Sequence, residues 1–116
     1  MRGRWEGNPM LLLTTTGARS GQERVSPITY TEHGGRLVVI ASKAGSDHHP
    51  AWYHNLVAHP DVTVELGTER FGARARVAEE PERSELFDER VALMPRFGGY
   101  QEQTDRTIPV VVIERV

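Results

Sequence analysis

The run Leu11-Leu12-Leu13-Thr14-Thr15-Thr16-Gly17-Ala18-Arg19-Ser20-Gly21-Gln22-Glu23-Arg24 decides how the rest of the chain is read. Leucines followed by β-branched threonines suit a pleated, half-buried strand. The second half is a turn punctuated by Gly17 and Gly21, where a backbone free to take positive φ brings N–H groups close to a bound group. Arg19 and Arg24 beside it offer two planar forks of donors, a cradle for an oxyanion. A plain hairpin loop with solvated arginines fits the same residues.

Working outward, residues 10–16 read as the first strand and 23–31 as the second. Pro27 has no N–H for the ladder, so an edge or a bulge is expected there. His33-Gly34-Gly35 makes the next turn, and 36–42, with Leu37-Val38-Val39-Ile40-Ala41, reads as a buried strand. A polar loop ends at Pro50, which suits a first helical position. The helix it opens runs to about His59 and is stopped by Pro60. Residues 62–66 and 70–78 alternate as an antiparallel pair across Gly67. Pro81 opens a second helix to about Met94, with Leu86, Phe87, Val91 and Met94 near one face. Residues 95–105 read as a glycine-rich loop, and 107–114 as the last buried strand. Six strands, mostly hairpin-linked, with only two helices, point to a small antiparallel barrel rather than a doubly wound sheet. Residues 1–8 are expected to be a leader and 9–116 the barrel domain.

The totals narrow the function. A chain of 116 residues with 38% hydrophobic and 26% charged residues fits one globular domain. A net charge of -2 lacks the basic balance of a nucleic-acid binder. Without cysteine there is no disulfide, thiol nucleophile or thiolate-bound metal. The first eight residues hold no apolar run long enough for a signal peptide or membrane span, so a cytoplasmic location is expected. The chain starts abruptly, and a further segment ahead of Met1 is compatible with that start.

Three cations stand out. Arg19 and Arg24 flank one hairpin, and Lys43 closes the third strand; with strands two and three adjacent, all three could meet at one end of the barrel. The first helix carries Trp52, Tyr53, His54 and Asn55 near an N-terminus whose unpaired N–H groups suit an anion or a carbonyl oxygen. Trp52 and Tyr53 serve equally well as anchors of that helix on the barrel. Five histidines raise a metal, but no pair has the spacing of a zinc helix and no carboxylate pattern completes a site. Asp47 is expected to cap the turn into the helix. Tyr100 is either a lid side chain or a plain loop aromatic.

Five blocks then fall into register: LLLTTTGARSGQER (11–24), ASKAG (41–45), HPAWYHNL (49–56), Pro60-Asp61-Val62 and TDRTIP (104–109). Together they resemble the deazaflavin-dependent nitroreductase family. That resemblance implies a split β-barrel related to FMN-binding barrels and the 8-hydroxy-5-deazaflavin coenzyme, coenzyme F(420), as cofactor. It implies that Arg19, Ser20 and Arg24 hold the phosphate region, with Lys43 as a further cation. Val25, Pro27, Ile28, Ile40, Ala41 and Ser42 would line the ring and its linker, and Ala51, Trp52 and Asn55 would close over it. Ser42 and Tyr100 are the candidate hydroxyl donors in catalysis. The implied reaction is hydride transfer from the reduced coenzyme to a small electron-poor acceptor: a nitroaromatic, quinone or enone. Ala18 stands where the family often has a second cation, and Glu23 where proline is common, so one anion contact is expected to be missing. Phe97 and Gln103 replace tyrosines of the late loop, which alters the acceptor side. The alternatives are a non-catalytic deazaflavin carrier or sensor and a barrel reductase using FMN. A homodimer across an exposed edge at Pro27 is a further expectation.

Overall fold

A computed structural model describes residues 10–116, the side chain of Ala44 excepted. The expected leader, 1–8, lies outside the described residues.

Six strands close into an antiparallel barrel: β1 (Met10–Thr16), β2 (Glu23–His33), β3 (Arg36–Ile40), β4 (Asp61–Leu66), β5 (Glu69–Val77) and β6 (Val110–Arg115). Their order around the barrel is β1-β2-β3-β6-β5-β4. Period-two alternation decides the interior. Leu11, Leu13, Ile28, Val39, Val64 and Val111 point inward, and Leu56 plugs one end from helix α1 (Ala51–Ala58). Ala73 and Ala75 leave room on the β5 wall, the side α1 packs against.

The opposite faces of β3 and β6 are buried too, which is why both strands are uninterrupted apolar runs. Val38, Ile40, Val110 and Val112 meet Leu86 and Phe87 of α2 (Glu82–Leu93) and Phe97 of α3 (Arg96–Glu102). Among the described residues the barrel therefore carries three α-helices and a 3-10 turn at Lys43–Gly45, not two helices.

The third helix corrects the expected loop over 95–105. Gly98 and Gly99 are poor helix formers, so local propensity reads as coil. Tertiary contacts reverse that. A Cβ on Gly98 would come within 3.3 Å of Val91, so glycine lets α3 lie close on α2. Gln101 then bonds the run into β6: its Oε1 accepts from Ile108 N–H at 3.0 Å, and its Nε2 donates to Arg106 O at 2.7 Å.

Arg90 is the charge that α2 turns inward. It is 1% exposed, and its Nη2 donates to Val38 O at 2.8 Å. The guanidinium lies 5.0 Å over the Phe97 ring, and its Nε and Nη1 have no partner among the described residues. Burial pushes it down to about 10, which leaves it charged at neutral pH.

Pro27 sits opposite Leu12 in an unbroken register with β1, so there is no bulge. On its other side β2 is unpaired there, because the β2–β3 ladder runs only from His33↔Arg36 to Tyr30↔Val39. Pro27 is thus on an edge inside a closed barrel.

Candidate active site

Two hollows open beside α1, one at the β1–β2 turn and one where β2 and β3 part. The larger, of about 770 Å³, is lined by Arg19, Ser20, Arg24, Val25, Ala51, Trp52, His54 and Asn55 among others. The smaller, of about 330 Å³, holds Pro27, Ile28, Ile40, Ser42, Lys43, Trp52, Phe97 and Tyr100. Trp52 lines both. The three cations are therefore divided: Arg19 and Arg24 face one hollow, and Lys43 faces its neighbour across Trp52. Ala41 lines neither. It is fully buried, its N–H donates to Pro109 O at 3.0 Å, and its carbonyl accepts from Arg106 at 3.2 Å.

The β1–β2 turn is built to present its arginines. Gly17 N–H donates to Gln22 O at 2.7 Å, Gly21 N–H to Gly17 O at 3.0 Å, and Gln22 N–H to the Ser20 hydroxyl at 3.1 Å. Asn55 ties this turn to α1: its Oδ1 accepts from Ala18 N–H at 2.9 Å and its Nδ2 donates to the Thr15 hydroxyl at 3.1 Å. That side chain is buried and occupied, so its part in the larger hollow is to fix the wall. The backbone N–H groups of Ala51 and Trp52 open the helix there without intrahelical acceptors, pointing the positive end of α1 at the hollow.

Around the smaller hollow, Lys43 is the described non-glycine residue with positive φ, at 45°. A left-handed lysine costs roughly 1–2 kcal/mol, so neighbouring bonds must hold it. Gly45 N–H donates to Ser42 O at 2.9 Å and Ser46 N–H to Lys43 O at 3.0 Å. The hydroxyls of Ser42 and Tyr100 have no hydrogen-bond partner among the described residues, and the Tyr100 ring meets Phe97 edge-on at 5.2 Å. Asp47 does not cap α1. Its carboxylate accepts from the Thr104 hydroxyl at 2.9 Å, and Pro50 takes the cap position.

Charge pairing separates these cations from five of the arginines, and Arg83, Arg90 and Arg106 are instead occupied by backbone carbonyls. Arg36, Arg70, Arg74, Arg76 and Arg115 each pair with a carboxylate, whereas Arg19, Arg24 and Lys43 make no salt bridge among the described residues. Unneutralised positive charge beside a concave surface attracts an anion. Arg106, within the run TDRTIP, has a role that its local sequence does not mark. Its guanidinium donates to three carbonyls of the loop after β3 and to His49 Nδ1. Burial and the Arg106 charge hold His49 below the usual imidazole range, with His54 adding to the effect. Nothing in local spacing marks such a long-range clamp; only the fold brings residues 41 and 106 together.

The model of the F(420)H(2)-dependent quinone reductase family matches residues 1–115. The F(420)H(2)-dependent quinone reductase of Mycobacterium tuberculosis is 42% identical over 112 residues, 92% of this chain and 74% of that protein. A solved F(420)-H(2) dependent reductase (FDR-A) superposes with a TM-score of 0.82 at 40% identity, covering 91% of this chain and 94% of its own. A solved domain-swapped dimer gives a TM-score of 0.83 at 40% identity, over 91% and 80% of the two chains. The chain belongs to the F(420)H(2)-dependent quinone reductase family, whose cofactor is coenzyme F(420).

Proposed function

We propose that this protein passes a hydride from reduced coenzyme F(420) to a small quinone, with nitroaromatics and enones as further acceptors. The observation that carries the reading is the pair of unneutralised arginines, Arg19 and Arg24, on the wall of a hollow that also holds an aromatic face at Trp52. The residues present fit such a cofactor. A phosphodiester and a glutamate tail need cationic donors and helix-terminal N–H groups, a flat ring needs an aromatic wall, and 770 Å³ is the usual scale of a small-molecule cleft. When bound, the reduced deazaflavin supplies two electrons as hydride, because carbon replaces the flavin's nitrogen-5.

The chain's own work is then positional. Arg19, Ser20 and Arg24 anchor the anionic end, while Val25, Ala51 and Trp52 border the ring. Pro27, Ile28 and Ile40 give the adjoining hollow apolar walls for an acceptor, and Lys43 at its rim is a further cation for the coenzyme's anionic part. Asn55 and Ala41 contribute through the backbone segments they hold. Reduction of a quinone also takes up a proton, and among the groups of this wall the Ser42 and Tyr100 hydroxyls are the candidate donors. Turnover of Tyr100→Phe and Ser42→Ala should fall about tenfold or more with coenzyme affinity unchanged. Wild-type rates in both would remove the two hydroxyls from the reaction.

No helix among the described residues is long and apolar enough to cross a membrane. An anionic coenzyme does not cross a bilayer unaided, so the reading places the site in the cytoplasm, facing the coenzyme's own compartment. A homodimer belongs to the same reading. Leu12, 39% exposed on the β1–β2 wall beside Pro27, is flanked by Met10 and Val25 at the rims of the two hollows, so a second copy seated on this apolar strip would border the site. Fluorescence titration with F(420) and with FMN, followed by anaerobic turnover with menadione, tests the function. Tighter binding of the deazaflavin, with one menadione reduced per coenzyme oxidised, is expected. Preference for FMN would point to the flavin reductase, and tight binding without turnover to a carrier.

A further inference from the structure

We infer that Arg106 is a positioning residue: its guanidinium locks the turn after β3 in the left-handed conformation that delivers Lys43 to the smaller hollow. The inference rests on the proposed function only in giving Lys43 a coenzyme to meet.

The geometry is that of a clamp with jaws on both sides of Lys43. Ahead of it, Nη1 donates to Ala41 O at 3.2 Å and Nη2 to Ser42 O at 2.7 Å. Behind it, Nε donates to Ser46 O at 2.8 Å. These carbonyls belong to one turn of six residues, and both of its positive-φ residues, Lys43 and Gly45, lie between the jaws. Ser42 O accepts from Gly45 N–H as well, so the clamp and the turn's own hydrogen bond share an acceptor. Arg106 lies 60 residues from Ser46 in sequence, in the run into β6, so the turn is anchored to the barrel. A planar fork of fixed donors can hold three diverging carbonyls; a lysine's single ammonium cannot hold all of them.

The fourth contact fixes the neighbouring imidazole. Arg106 Nη1 lies 2.8 Å from His49 Nδ1. A guanidinium only donates, so Nδ1 accepts and the proton resides on Nε2. The groups facing His49 are Arg106 from the run into β6 and, from α1, Tyr53 and His54 with ring centroids at 4.6 and 5.6 Å. Asp47, on the loop itself, lies close enough to Arg106 to favour its charge. His49 is therefore neutral at neutral pH. The clamp is complete above the ordinary imidazole range and weakens as pH falls through the depressed range of His49.

Two measurements need no ligand. Nitrogen-15 NMR of the wild-type protein at neutral pH should show His49 protonated on Nε2; a proton on Nδ1 overturns the clamp. In Arg106→Lys, amide exchange at Gly45 and Ser46 should quicken about tenfold or more while Val39 and Val111 keep their rates. Unchanged exchange in the turn overturns it too. The third is a cycle with Lys43→Ala, read by F(420) affinity. Arg106→Lys should weaken binding about fivefold in the wild-type background and less than about twofold when Lys43 is already alanine. An equal loss in both backgrounds means that Arg106 does not act through Lys43. A wild-type protein that bound no deazaflavin would sink the proposed function, and the two ligand-free measurements would still decide the positioning.

Discussion

Arg19→Ala combined with Arg24→Ala is expected to weaken coenzyme F(420) binding by about 3 kcal/mol, a factor of about 150. Each arginine offers a charge-assisted bond in the range of about 1.5–3 kcal/mol. The lower end applies because both side chains are solvent-exposed before the ligand arrives, so water and salt screen part of the attraction. Neither makes a salt bridge among the described residues, so the double variant should melt at the wild-type temperature. That separates lost binding from lost fold. The sharper signature is ionic strength: wild-type affinity should drop as salt is raised, while the variant's dependence flattens. Arg70→Ala and Arg74→Ala serve as controls, since those arginines pair with Glu65 and Asp61 on the β4–β5 hairpin away from the hollows. Fluorescence titration at two salt concentrations reads all four proteins. Unchanged affinity in the double variant would move the anion site elsewhere and take the main support from the proposed function.

The β4–β5 pair was legible because barrel walls impose a period of two, which Val62 and Val64 display openly, and β1 because leucines followed by β-branched threonines suit a pleated wall. The exceptions, β3 and β6, announced their double burial by the unbroken runs around Val38 and Val111. Helix α3 was illegible for the converse reason. Gly98 and Gly99 carry the local signal of coil, and what overrides it is the close approach of Gly98 to Val91, seven residues upstream on a separate helix. Arg90 belongs with it: in sequence it falls among Glu85, Asp88 and Glu89 on a polar helix, and only the opposite wall turns it inward. The candidate site was legible residue by residue but not as a shape. Adjacency of β2 and β3 suggested that Lys43 would join Arg19 and Arg24. The ladder's end at Tyr30↔Val39 instead opens a gap with Trp52 between two compartments. Ladder length is set by how far two strands twist apart, a property that neither strand's sequence carries alone.

Gly45→Ala is expected to be the most damaging single substitution near the smaller hollow. Gly45 has φ +81, and a Cβ there would sit 2.9 Å from Tyr100 O and 3.1 Å from Tyr100 Cα. Gln103 Oε1, also at 2.9 Å, can swing away, but the α3 backbone cannot move without shifting Tyr100 and Phe97. Gly67 supplies the comparison. Its φ is +62 and a Cβ there would meet nothing within 4 Å, so Gly67→Ala bears only the left-handed penalty, about 1 kcal/mol. Gly45→Ala bears that penalty and the clash, together about 3 kcal/mol. For a domain of this size the melting temperatures should fall by about 4 °C for Gly67→Ala and about 12 °C for Gly45→Ala. The kinetic consequences should diverge as well. Gly67 lies on the β4–β5 hairpin, so its variant should keep wild-type kcat/KM for menadione at a temperature where it is folded. Gly45→Ala displaces either the turn that carries Lys43 or the helix that carries Tyr100, and should lose about tenfold or more under the same conditions. Equal melting temperatures for the two variants would mean that α3 yields freely, and the wall it gives the smaller hollow could then not position an acceptor.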